Sequence, residues 1–84
     1  ALVKAQLADQ LGESLGALGL TQVQAGQLLG VDQGTVSKLI NGRLDGFSLE
    51  RLFRYLNILG SDVEIVVRRK DRSDGPGRLT VGLV

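Results

Sequence analysis

The chain has 84 residues with no cysteine and no histidine, and its formal net charge is +1 at pH 7. That length suits one small domain, and the missing residue types exclude disulfides, thiol catalysis and zinc sites built on Cys or His. No apolar run reaches membrane-spanning length and the first residues lack a signal-peptide core, so no membrane partner is expected. The lack of cysteine fits a reducing cytoplasm, which is the expected location. Ala1 stands where an initiator Met would be, which predicts residues upstream. Charge placement says more than the total: Lys4 is the one base before position 38, and every other Lys or Arg follows.

Val3, Leu7, Leu11, Leu15 and Leu18 recur at spacings of four and three, predicting a first helix over roughly residues 2–18 with that stripe inward. Gly12 and Gly16 lie within it, each costing about 1 kcal/mol relative to Ala. Either a neighbour packs closely there or the helix is weak. Gly19 ends it. Thr21 with Gln24 forms a capping box that opens a second helix, which Gly30 stops after Leu29. Asp32 caps a third helix from Gln33 to about Asn41, and Gly42 closes it. With Ala25, Leu29, Val31, Val36, Leu39 and Ile40 inward, Gly34, Ser37, Lys38 and Asn41 fall on the opposite side, Gln33 at the exposed start. In the loop at 42–47, Leu44 is expected to tuck back onto the core. Ser48 caps a fourth helix, with Phe47 and Leu52 as a hydrophobic staple. Its stripe is Leu49, Leu52, Phe53, Leu56 and Leu59, which sends Arg51, Arg54, Tyr55 and Asn57 outward. Gly60 ends it.

After Gly60 the period shifts from helix to strand. Val63, Ile65 and Val67 alternate along one side of the first arm, and Asp74-Gly75-Pro76-Gly77 is a turn signal. Leu79, Val81 and Leu83 alternate along the second arm, so a β-hairpin is expected. A lone two-stranded hairpin is marginal in water. Pairing with a second copy would complete a four-stranded sheet across a two-fold axis, and these six residues are the expected dimer interface. Arg68 to Arg72 read equally well as a solvated surface or as phosphate contacts.

Two short helices, a corner containing Gly and a polar second helix spell helix-turn-helix. With Gln22, Gly26, Gly30, Val36, Leu39 and Asn41-Gly42 in place, the stretch resembles the phage-repressor (Xre/Cro) type. The longer run from Leu20 through Phe47-Ser48-Leu49 to Val63-Glu64-Ile65-Val66-Val67 is similar to the shorter HigA-type antitoxins and their solitary relatives. The resemblance implies a mainly α, lambda-repressor-like domain of four to five helices over residues 1–60. The C-terminal β-hairpin over 61–84 then serves as a dimerisation element.

It also implies roles at named positions. Gln22, with Thr21 beside it, meets a phosphate at the start of helix 2. Gln33 reads a base, its amide suiting adenine N6 and N7. Ser37 and Lys38 lie one turn further along, and Lys38 meets guanine or a phosphate. Thr35 touches backbone or a thymine methyl, while Asn41 and Arg43 grip phosphates at the far end. Gly34 stands where the family often has Pro, Ser or Ala; it removes one base contact and lets the helix backbone come closer.

The expected function is that of a homodimeric, sequence-specific repressor on double-stranded DNA, binding a palindromic operator and associated with the nucleoid. The alternative is an antitoxin whose main partner is a toxin protein. An enzyme is not expected: the acidic residues show no ligand spacing and the serines have no His to activate them. No catalytic residue, metal or cofactor is therefore nominated.

Overall fold

The computed structural model describes residues 2–69, 75–77 and 81. Among these residues four helices run in order: α1 Leu2–Ala17, α2 Gln22–Leu29, α3 Gln33–Ile40 and α4 Leu49–Ile58. The side-chain caps fall where expected. Thr21 and Gln24 make both bonds of the capping box, Asp32 accepts from the Thr35 amide, and Ser48 accepts from the Arg51 amide.

One core joins the helices. Val3, Leu7 and Leu11 of α1 meet Leu29, Leu39, Phe47, Leu52, Tyr55 and Leu56, with Leu44 and Val31 packed at its edge. A second cluster of Leu15, Ala25 and Val36 sits beside it, walled by Leu20, Val31 and Leu59. Phe47 and Leu52 are both buried, as a staple requires. α1 lies against α3 and α4, while α2 packs on α3 and touches α4. α3 is therefore held from behind by two helices.

Several expectations of side-chain direction are corrected. Leu18 is 53% exposed, because α1 stops at Ala17 and Leu20 takes the inward place against Val36. Ile40 is 47% exposed: it is the last residue of α3, and the core contact of that helix is made by Val36 and Leu39. Tyr55 is buried at 3% exposure, opposite to the expected direction. It shares the α4 face of Leu52 and Leu56, and Arg51 bonds its hydroxyl, so its polar end is satisfied. Among the described residues Gly12 and Gly16 have no close neighbour, since a Cβ at either would meet nothing within 4 Å. Of the two readings, close packing is the one that fails.

The expected C-terminal β-hairpin is also corrected. Residues 61–69 include its first arm and contain no strand among the described residues. Val63 packs against the helical core, but Ile65 and Val67, on the same side of the alternation, are 72% and 91% exposed. With no apolar surface beneath those two among the described residues, a pair of strands has little to hold it together. Val81 also packs against the core, whereas Leu79 and Leu83 lie outside the described residues.

Candidate nucleic-acid interface

The site is built on α3, and the corner before it sets its direction. Gly30 has φ 76°, a left-handed conformation open to Gly at little cost, and the Val31 amide donates to the Gly26 carbonyl at 2.8 Å. Gly26 is buried, and a Cβ there would lie 2.6 Å from the Val31 carbonyl oxygen. The corner between the two helices closes only because that atom is missing. The resemblance marks a small residue at this position, and its cause is this backbone contact.

Asp32 then starts α3. Its carboxylate accepts from the Thr35 amide at 2.8 Å and from the Thr35 hydroxyl at 2.6 Å. These bonds, first the hydroxyl and then the amide, with a smaller contribution from the Lys38 charge, hold its pKa below the ordinary 3.8. The Thr35 hydroxyl hydrogen is thus committed within the protein, leaving that side chain its methyl and an acceptor lone pair.

Val36 and Leu39 are buried at 0% and 2% exposure and anchor α3 from behind. Gln33, Gly34 and Lys38 are exposed, and Ser37 is half-buried between them and the core. Gln33 and Ser37 are four residues apart, and so are Gly34 and Lys38, so these side chains run along one face of the helix. Among the described residues a Cβ on Gly34 would meet only Asp32 Oδ1, at 3.7 Å. Packing does not demand a glycine there.

The far end of α3 is closed by a Schellman motif. Gly42, at φ 72°, donates to the Leu39 carbonyl at 3.3 Å, and the Arg43 amide donates to Lys38 at 2.9 Å. This fixes where exposed Arg43 leaves the helix. Asn41 Nδ2 donates to the Ser37 carbonyl at 2.8 Å and to Ser37 Oγ at 3.2 Å, so its amide group caps the helix end. Thr21 is exposed and Gln22 half-buried at the start of α2, where the Thr21 hydroxyl is bonded to the Gln24 amide.

Arg51, expected to face outward, lies instead against two aromatic rings. Its guanidinium lies 4.7 Å from the Phe47 ring centroid and 5.6 Å from that of Tyr55, and its Nε donates to the Tyr55 hydroxyl. The spacing of Phe47, Arg51 and Tyr55 by fours signals a stacked cation on one helical face. The signal depends on Tyr55 being buried, which the apolar spacing of α4 does not predict.

Comparison with known proteins agrees with this geometry. Residues 1–68 match the model of a family described as Helix-turn-helix domain. A Mycobacterium tuberculosis protein named Putative antitoxin HigA2 is 33% identical over 75 residues, covering 83% of this chain and 74% of that protein. A solved structure named Putative XRE Family Transcriptional Regulator superposes with a TM-score of 0.88 at 43% identity, covering 94% of this chain and 89% of that one. The chain belongs to the helix-turn-helix domain family and is of the Xre type expected from its residues.

Proposed function

We propose that the protein is a sequence-specific DNA-binding transcriptional regulator of the Xre type that acts as a homodimeric repressor. The observation that carries this is the two-sidedness of α3: Val36 and Leu39 bury one face while Gln33, Gly34 and Lys38 stand exposed on the other. α3 enters the major groove, Gln33 reads an adenine, and Ser37 and Lys38 contact the next bases or phosphate. Arg43 and the start of α2 hold the backbone on either side, Asn41 assisting through its carboxamide oxygen by way of water. Two copies place their α3 helices about 34 Å apart, on half-sites one turn of duplex apart. The protein works by binding, in the cytoplasm at the nucleoid. The test is selection of bound sequences from random duplex DNA. Enrichment of an inverted repeat with one-turn spacing is expected; recovery of unenriched sequences at every salt concentration would refute the reading.

Identity with the relative named as a HigA2 antitoxin over most of both chains favours a second role, holding a toxin protein while the same helix-turn-helix regulates its own operator. Co-expression with the product of the adjacent gene tests it. A stable stoichiometric complex is expected, and separate elution of the two proteins counts against it.

A further inference from the structure

α3 ends on Asn41-Gly42, the one place in the chain where an asparagine precedes a glycine. A glycine amide has no Cβ beside it, so it is the least hindered backbone nucleophile that an asparagine side chain can meet. Asn41 and Gly42 are both exposed, and among the described residues nothing lies within 4 Å of where a Gly42 Cβ would stand. The other asparagine, Asn57, is followed inside α4 by the β-branched Ile58.

What restrains a reaction between the two is the closure of the helix. The Gly42 amide donates to the Leu39 carbonyl at 3.3 Å, and Asn41 Nδ2 donates to the Ser37 carbonyl at 2.8 Å and to Ser37 Oγ at 3.2 Å. Asn41 has ψ 7°, and its backbone must turn before the Gly42 nitrogen reaches the side-chain carbonyl carbon. All of these bonds belong to the last turn of an eight-residue helix, where local opening is least costly.

We infer that Asn41 is a modification site: it deamidates spontaneously through the opened end of α3, with water as co-reactant, and the product loses affinity for DNA. The loss of affinity rests on the proposed function; the reaction does not. The Gly42 nitrogen attacks Asn41 Cγ. The N–Cγ bond forms, the Cγ–Nδ2 bond breaks, and Nδ2 leaves as ammonia with the proton from Gly42. Water then opens the cyclic imide at either carbonyl. One opening gives an aspartate; the other gives an isoaspartate, in which the main chain runs through the former side-chain carbonyl.

Both products undo the helix end. A carboxylate cannot donate, so the bonds to Ser37 are lost, and the new charge faces a carbonyl oxygen at the negative end of the helix. The isoaspartate also adds a backbone carbon before Gly42, which pulls the Arg43 amide away from the Lys38 carbonyl, 2.9 Å distant in the closed form. One added carboxylate takes the formal net charge from +1 to 0, and it does so between Lys38 and Arg43. Binding then weakens for every duplex sequence alike.

Peptide mapping by mass spectrometry reads the reaction on the whole chain, since isomerisation at Asp45-Gly46 or Asp74-Gly75 leaves the mass unchanged. Acid product should accumulate at Asn41 and not at Asn57, faster at mildly alkaline pH, and roughly tenfold more slowly than in the urea-unfolded chain. Asn41 still intact after about a hundred half-lives of the unfolded chain overturns the site, as does equal conversion at Asn57. Anion exchange separates the product for fluorescence anisotropy on the duplex selected from random DNA. The product and Asn41→Asp should each bind about tenfold more weakly than the intact chain, with circular dichroism checking that the helices persist. Excess duplex should slow the conversion by holding the end of α3.

The outcomes separate the two claims. Conversion at Asn41 in a chain that binds no duplex leaves the modification site standing and removes the regulator. A duplex-binding chain whose product binds as tightly as the intact form overturns the loss of affinity inferred here and leaves the regulator standing.

Discussion

Gly26 and Gly34 stand eight residues apart in the same motif and carry opposite consequences. A methyl on Gly26 would lie 2.6 Å from the Val31 carbonyl oxygen, a backbone atom that cannot yield without moving the corner. Gly26→Ala should therefore lower stability by about 1–3 kcal/mol, read as the shift in urea unfolding. A methyl on Gly34 meets only the Asp32 side chain, at ordinary contact distance. Gly34→Ala should raise stability by up to about 1 kcal/mol through helix propensity. If it also weakens DNA binding, close approach of the α3 backbone to the duplex is the reason; a loss of stability would contradict the packing. Asp32 offers a pH test. Its folded pKa is depressed by the bonds from Thr35, so its contribution is present above the ordinary 3.8 and lost as pH falls through the folded value. Asp32→Asn keeps an acceptor without the titration. The stability gap between wild type and variant should shrink in that acid window, and a gap independent of pH would show that the carboxylate charge is irrelevant.

At the scale of the element, α3 is a short helix whose ends are fixed by its neighbours in sequence. Asp32 at its start and the Gly42–Arg43 closure at its end were both legible, because capping involves residues within five positions of each other. α4 was half legible. Ser48, Leu52 and Leu56 lie as the spacing predicts, but Tyr55 and Arg51 exchanged expected surroundings for a buried ring and a stacked cation. A phenol suits either a wet or a dry site, and only a hydroxyl partner decides between them. On α3, Gln33→Ala should reduce discrimination at one base pair by about 1–3 kcal/mol while affinity for random DNA stays nearly unchanged. Equal loss on operator and random duplex, measured by fluorescence anisotropy, would mean that Gln33 touches only backbone.

At the scale of the molecule, a net charge of +1 is too small to hold a polyanion; what matters is where the bases sit. Arg43 leaves α3 at a fixed point beside Lys38, so Arg43→Ala should weaken all sequences alike and lower the salt slope of binding by about 1. An unchanged slope would remove Arg43 from the phosphate contacts. The segment from Val63 onward follows the same logic. Its alternation predicts a hairpin, but among the described residues its first arm has no strand. β pairing depends on a partner that need not be close in sequence, or even in the same chain.

By itself the sequence determined the helices, their caps, the glycine corner and the polar face of α3, since each depends on contacts between residues a few positions apart. Which apolar side chains are covered, why Gly26 must lack a side chain, and how Arg51 lies against Phe47 and Tyr55 were decided only by the tertiary structure. Those outcomes depend on which element stands opposite, and a periodic pattern names the face of a helix without naming what meets it.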